Sequence, residues 1–158
     1  MIRESKQTAP RNRSPCPVNL FLEMLGDRWS LLILRDLMFG DKHEFGDFLS
    51  AREGIATNVL ADRLRKLEGF GLLGKRPHPS DARKFVYTLT MKGADLAPTL
   101  IEMALWTARY EKVEIPQELS WRMREDRAGL VADLRARVSK MQQSQSAAAC
   151  ESAPRPVK

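Results

Sequence analysis

The segment ATNVLADRLRKLEGFGLL, residues 56–73, places leucines at positions 60, 64 and 67. At about 100° per residue these fall on one narrow arc, the side on which a helix packs against its own domain. The opposite arc holds Asn58, Asp62, Arg65 and Lys66, with Thr57 and Ala61 beside it, and Arg63 adds a further cation to the run. Towards the start of the helix the outward side chains are short and hydrogen-bonding or very small. They let a backbone approach a groove wall while Asn or Thr reaches base edges. Towards its end they are long and cationic, which suits phosphates. Asp62 faces phosphate unfavourably and is better used in pairing with Arg65 or Lys66. A basic outward face alone is what most surface helices have, so the neighbouring segments decide the reading.

Gly69 and Gly71 stop this helix. LLGKRP, a tip HPSDAR rich in turn formers, and KFVYTLT with its alternation then predict a two-stranded hairpin with a long basic tip. Its first strand carries Lys75 and Arg76, and its tip carries Arg83 and Lys84. Two consecutive elements are therefore basic within one footprint. Upstream, KHEF supplies one short strand, FGDFLSA a brief helix with Phe45, Phe48 and Leu49 inward, and REG a turn. A short helix, a tight turn, a second helix and a basic hairpin are the layout of a winged helix-turn-helix.

The flanks predict further helices. PVNLFLEML begins with Pro17, suited to a first helical position, and Gly26 ends it. Asp27 can cap RWSLLILRDLMF, which is apolar almost all round, as a central helix is. Thr90 can cap MKGADLAPTLIEMALWTARY, in which Pro98 lies early enough to be tolerated or to mark a small kink. A last helix in PQELSWRMREDRAGLVADLRARVSKM aligns Leu130, Leu134, Val138 and Met141 on one stripe. The expected class is thus mainly α with a small β-hairpin. A flexible basic arm (1–14) precedes the winged domain (15–110), and a helical extension (111–141) and a flexible tail (142–158) follow it.

At 158 residues, with 43% apolar and 29% charged residues, one compact domain is expected. The net charge of +6 favours a polyanionic partner. From Arg52 to Lys92 there are nine Lys/Arg against four Asp/Glu, whereas Pro15 to Ala51 has three against six. Positive charge is therefore concentrated on the segments that suggest a DNA reader. No run is long enough to span a membrane and the N-terminal segment does not read as a secretory signal, so a cytoplasmic location is expected. Only Cys16 and Cys150 are present, far apart in sequence, which argues against a disulfide scaffold. His43 and His78 lie in separate turns with no partner at ligand spacing, so no metal site and no general-base constellation is expected. Without a phosphate loop or a nucleophile elbow the chain does not read as an enzyme, and no cofactor is expected.

CPVNLFLEMLGDRWSLLILRDLMFG, HEFGDFLSAREGIATNVLADRLRKLEGFGLL and KFVYTLTMKGADLAP together resemble the HxlR-type winged helix-turn-helix transcriptional regulators, over about Cys16 to Tyr110. The resemblance implies a homodimeric, cytoplasmic regulator of double-stranded DNA, with the helix from about Ala56 to Glu68 as recognition helix and the hairpin as wing. It also raises Cys16, in the CPV motif, as a sensor of oxidants or electrophiles. A helix N-terminus stabilises a thiolate; the plainer reading is a small buried or capping residue. Family members often have Ser where this chain has Ala56, so Thr57 or the turn backbone must cap here. The wing lacks the usual paired prolines and has Asp81 and Arg83 instead. The extension after Tyr110 reads as additional dimer surface. The rival function is a winged-helix module for protein assembly, or one that binds a small aromatic ligand near Trp29, Trp106 and Trp121.

Overall fold

The computed structural model describes residues 14–151, with side chains through residue 144. Residues 1–13 of the expected arm, residues 152–158 of the tail, and the side chain of Cys150 lie outside the described residues. The elements are α1 (Pro17–Leu25), α2 (Arg28–Phe39), α3 (Phe45–Leu49), α4 (Thr57–Gly69), β1 (Leu73–His78), β2 (Asp81–Leu89), α5 (Met91–Ala94), α6 (Ala97–Tyr110), α7 (Gln117–Glu125) and α8 (Arg127–Glu151). The winged helix-turn-helix expected from the sequence is present.

Local chemistry sets most boundaries. Asp27 caps α2, accepting from the backbone amides of Trp29 and Ser30 at 3.0 Å each and from the Ser30 hydroxyl at 2.6 Å. α3 opens with a capping box between Glu44 and Asp47. α4 ends in a Schellman motif: Leu72 N–H donates to Leu67 O at 3.0 Å and Gly71 N–H to Glu68 O at 2.9 Å. That motif needs a left-handed residue after the cap, and Gly71 supplies it with φ +69°.

Four expectations change in detail. KHEF does not form a strand; it contributes a single bridge, Glu44 to Val86, beside a 2.7 Å bond from Tyr87 N–H to His43 O. The helix expected after Thr90 is broken into α5 and α6, because the chain turns at Asp95 and Leu96 and Pro98 sits in the first turn of α6. The last helix is likewise divided at Asp126 into α7 and α8. Helical backbone then continues to Glu151, ten residues past the expected end at Met141.

The core is built from α2, α3, α4, the base of the hairpin and the C-terminal helices. Leu34, Leu60 and Leu67 are fully buried, with Phe48, Leu64, Leu73 and Ala97 beside them. The predicted stripe of α8 joins this cluster through Leu134 and Val138. Packing on α5, β2 and α7, α8 completes the core of the winged domain instead of standing apart from it. Val86 to Leu89 are buried on both strand faces because helices lie against each side of β2.

Candidate nucleic-acid interface

The leucine stripe of α4 is inward as predicted, with Leu60, Leu64 and Leu67 no more than 2% exposed. Thr57, Asn58, Arg65 and Lys66 are exposed on the far side, and Ala61 is half-buried. Asp62 sits among cations, with Lys66 Nζ at 3.1 Å, Arg63 Nη1 at 3.5 Å and Arg65 Nη1 at 3.6 Å. The carboxylate is therefore used in pairing along the helix, and it holds the Arg65 and Lys66 side chains over one surface.

Arg63 occupies a different position from its neighbours. Its side chain is 24% exposed, against 74% for Arg65, and its Nε lies 3.1 Å from Asp27 Oδ1 at the start of α2. This pairing spans 36 positions in sequence, and no local pattern announces it.

The hairpin is antiparallel, with Leu73 opposite Leu89 and Pro77 opposite Phe85. Beyond that pair the register jumps to His78 opposite Asp81, leaving Ala82, Arg83 and Lys84 bulged out of the ladder. The turn is tighter than the six-residue tip expected, and the bulge presents the cations. Arg83 is 91% exposed and Lys84 60%. Arg83 folds back on Asp81 at 3.2 Å, whose carboxyl is held below its usual range by the Arg83 side chain and backbone amide. At the base of the hairpin, Lys75 pairs with Glu68 of α4 at 3.2 Å and lies 5.4 Å from the centre of the Phe85 ring. Arg76 is half-buried. Towards the tip, Lys84 and His78 both reach Glu44 of the α3 cap, at 3.7 and 3.4 Å. The wing is thus tied at its base to α4 and near its tip to α3.

Three further features bear on the site. Arg52 stands exposed in the turn before α4, a basic residue not singled out within REG. Thr90 Oγ1 donates to Gly71 O and Lys92 Nζ to Phe70 O, both at 2.7 Å, so α5 closes the C-terminal end of α4. At the other end Ala56 is the N-cap residue and no side chain caps the helix. Cys16 is exposed as N-cap residue of α1. Trp29 packs against the core, whereas Trp106 and Trp121 are 62% and 58% exposed. Among the described residues no helix is long and apolar enough to cross a membrane.

This arrangement defines a winged helix-turn-helix of the kind used by transcriptional regulators. The chain belongs to the HxlR-like helix-turn-helix family, whose pattern matches residues 24–115. It is 35% identical over 88 residues to an uncharacterized HTH-type transcriptional regulator of Synechocystis, covering 56% of this chain and 64% of that one. With the HTH-type transcriptional regulator YodB of Bacillus subtilis it shares 33% identity over 96 residues, 60% of this chain and 85% of the relative. The reduced form of YodB superposes with a TM-score of 0.51 at 30% identity, covering 64% of this chain and all of that one. A quinone-bound form of YodB matches with a TM-score of 0.50 at 30% identity, over 60% of this chain and all of that one. The protein PA1607 superposes with a TM-score of 0.58 at 36% identity, over 69% and 73% of the two chains. Several of the curated relatives are spanned only over 55% to 64% of their length. The chain thus shares its helix-turn-helix domain with proteins named as transcriptional regulators, and α7 and α8 fall outside the family match.

Proposed function

We propose that the protein binds an inverted-repeat DNA operator as a homodimer, with α4 in the major groove and the β1–β2 wing on the flanking backbone, and that it acts in the cytoplasm. The observation that carries the reading is the division of α4: its leucines are buried while Thr57, Asn58, Arg65 and Lys66 face solvent beside a wing whose Arg83 is almost fully exposed. Asn58 and Thr57 offer hydrogen bonds to base edges, and Ala61 allows close approach. Arg65, Lys66, Lys75, Arg76, Arg83 and Lys84 supply cations for phosphates. Asp62 keeps Arg65 and Lys66 aligned.

A homodimer is supported by apolar surface that one chain leaves uncovered. Val18 and Leu22 of α1 are 66% and 56% exposed, and Met103, Trp106 and Tyr110 of α6 are 47%, 62% and 63% exposed. Twofold symmetry then spaces the two recognition helices by about one DNA turn, roughly 34 Å, or a multiple of it. Control through the exposed thiol of Cys16, or through a small ligand, is supported by its place at the start of α1 and by the quinone-bound form of the relative YodB.

The test is selection of bound fragments from random DNA followed by titration of the winner. Arg65→Ala and Arg83→Ala are each expected to weaken binding about tenfold or more at moderate salt, and to reduce the slope of log affinity against log salt by about one charge. Unchanged affinity in both variants would remove the DNA-face assignment.

A further inference from the structure

α2 meets the recognition helix at two charged points. At its first turn the Asp27 carboxylate caps α2 and lies 3.1 Å from Arg63 Nε. Two turns further on, Arg35 Nη1 donates to Glu53 at 2.6 Å, in the turn that leads into α4. The same guanidinium holds the buried Asp36 through Nε at 2.9 Å and Nη2 at 2.7 Å, and Lys42 Nζ closes the set on Asp36 at 2.8 Å. Arg35 thereby fixes where the chain enters α4, and Asp27 grips the helix in its second turn.

The leucine stripe decides which side of α4 faces inward, but apolar burial is non-directional and leaves a helix free to roll by some degrees. Arg63 Nε makes no aligned hydrogen bond to Asp27, so the contact acts as a partly buried ion pair: it restrains the distance between the flank of α4 and the start of α2, and a restrained distance at the flank of a helix opposes that roll. Arg63 stands at this flank, between the buried Leu60–Leu64 row and the outward Asp62–Lys66 row. Partial burial works against the charged form of Asp27, yet the hydroxyl and amide of Ser30, Arg63, and the amide of Trp29 outweigh it and hold the carboxyl below its usual value. The carboxylate therefore stays charged opposite Arg63 throughout the neutral range. Asp27 also follows Gly26, the residue that ends α1, so one residue joins α1, α2 and α4.

We propose that Asp27 is a positioning residue for DNA recognition: by holding Arg63 it sets the roll of α4 on α2, and it keeps that arginine from the phosphate backbone. Sequence preference then depends on a pair that touches no base. The inference rests on the operator-binding reading above and adds to it a determinant of specificity inside the domain.

The experiment compares wild type, Asp27→Asn and Arg63→Met on two duplexes, the sequence that wild type selects from random DNA and a random duplex of equal length. Asn caps a helix as well as Asp does, so Asp27→Asn is expected to keep its thermal midpoint. Its preference for the selected duplex over the random one is expected to fall about tenfold, the size of one weakened base contact. Its salt slope on random DNA is expected to steepen by about one charge as the released Arg63 turns to phosphate. Arg63→Met leaves the cap in place and is expected to lose the same preference without the steeper slope, which keeps the test valid if Asp27→Asn folds poorly. A preference in Arg63→Met within twofold of wild type would overturn the inference while leaving operator binding intact. Failure of wild type to enrich any sequence would overturn the operator reading and this inference with it.

Discussion

Ala56 leaves α4, the proposed recognition helix, without a side-chain cap. The first amides of an α-helix need acceptors from outside it, and a methyl group provides none. Ala56→Ser should stabilise the protein by about 1 kcal/mol in thermal or denaturant unfolding. Ala56→Asp should stabilise it similarly, since a carboxylate also complements the helix dipole. The two should part in a DNA titration: Asp puts a negative charge at the end of the helix nearest the groove and weakens binding, whereas Ser does not. Equal DNA affinity for both would place the start of α4 away from the phosphates.

Among the elements, those with short-range causes were readable in advance. The leucine period of α4, the Asp27 cap, the Gly71 stop and the hairpin all stand where their residues put them. Gly71 illustrates why: a left-handed residue at φ +69° admits glycine readily and other residues at a cost. Gly71→Ala should therefore lower stability by about 1–2 kcal/mol, measured by denaturant unfolding, and loosen the wing against α4. Features with long-range causes were not readable. KHEF has strand composition, but β2 meets it at a single bridge. The bulge that exposes Arg83 and Lys84 depends on how His78 and Asp81 come into register, and Arg63 looked like one more outward cation because its partner lies on another helix. The outward face of α4 was thus legible to within one residue.

For the whole molecule the question is what covers the apolar surface on α1 and α6. Exposed Leu22 and Trp106 lie away from the buried core, so charged replacements there test assembly and not folding. Leu22→Glu and Trp106→Glu should each keep a cooperative unfolding transition and sediment as monomers at concentrations where wild type sediments as a dimer. Operator affinity should fall with them by about a hundredfold, because two half-sites held together bind far more tightly than one. Dimers that persist in both variants would move the interface elsewhere.

The contrast between the two ends of α4 has its own consequence. Thr90, Lys92 and the Schellman bonds fasten the C-terminal end to the rest of the domain, while the first turn has no side-chain cap. The uncapped amides of α4 are therefore those of the turn that carries Thr57 and Asn58. If DNA supplies the missing acceptors, the entropy lost on docking comes from about three residues and not from the whole helix, at roughly 1–2 kcal/mol for each backbone fixed. A helix held at its approach, its second turn and its C-terminal end leaves a single uncapped turn to adjust to hydrogen-bond partners, while the cations behind it keep their places.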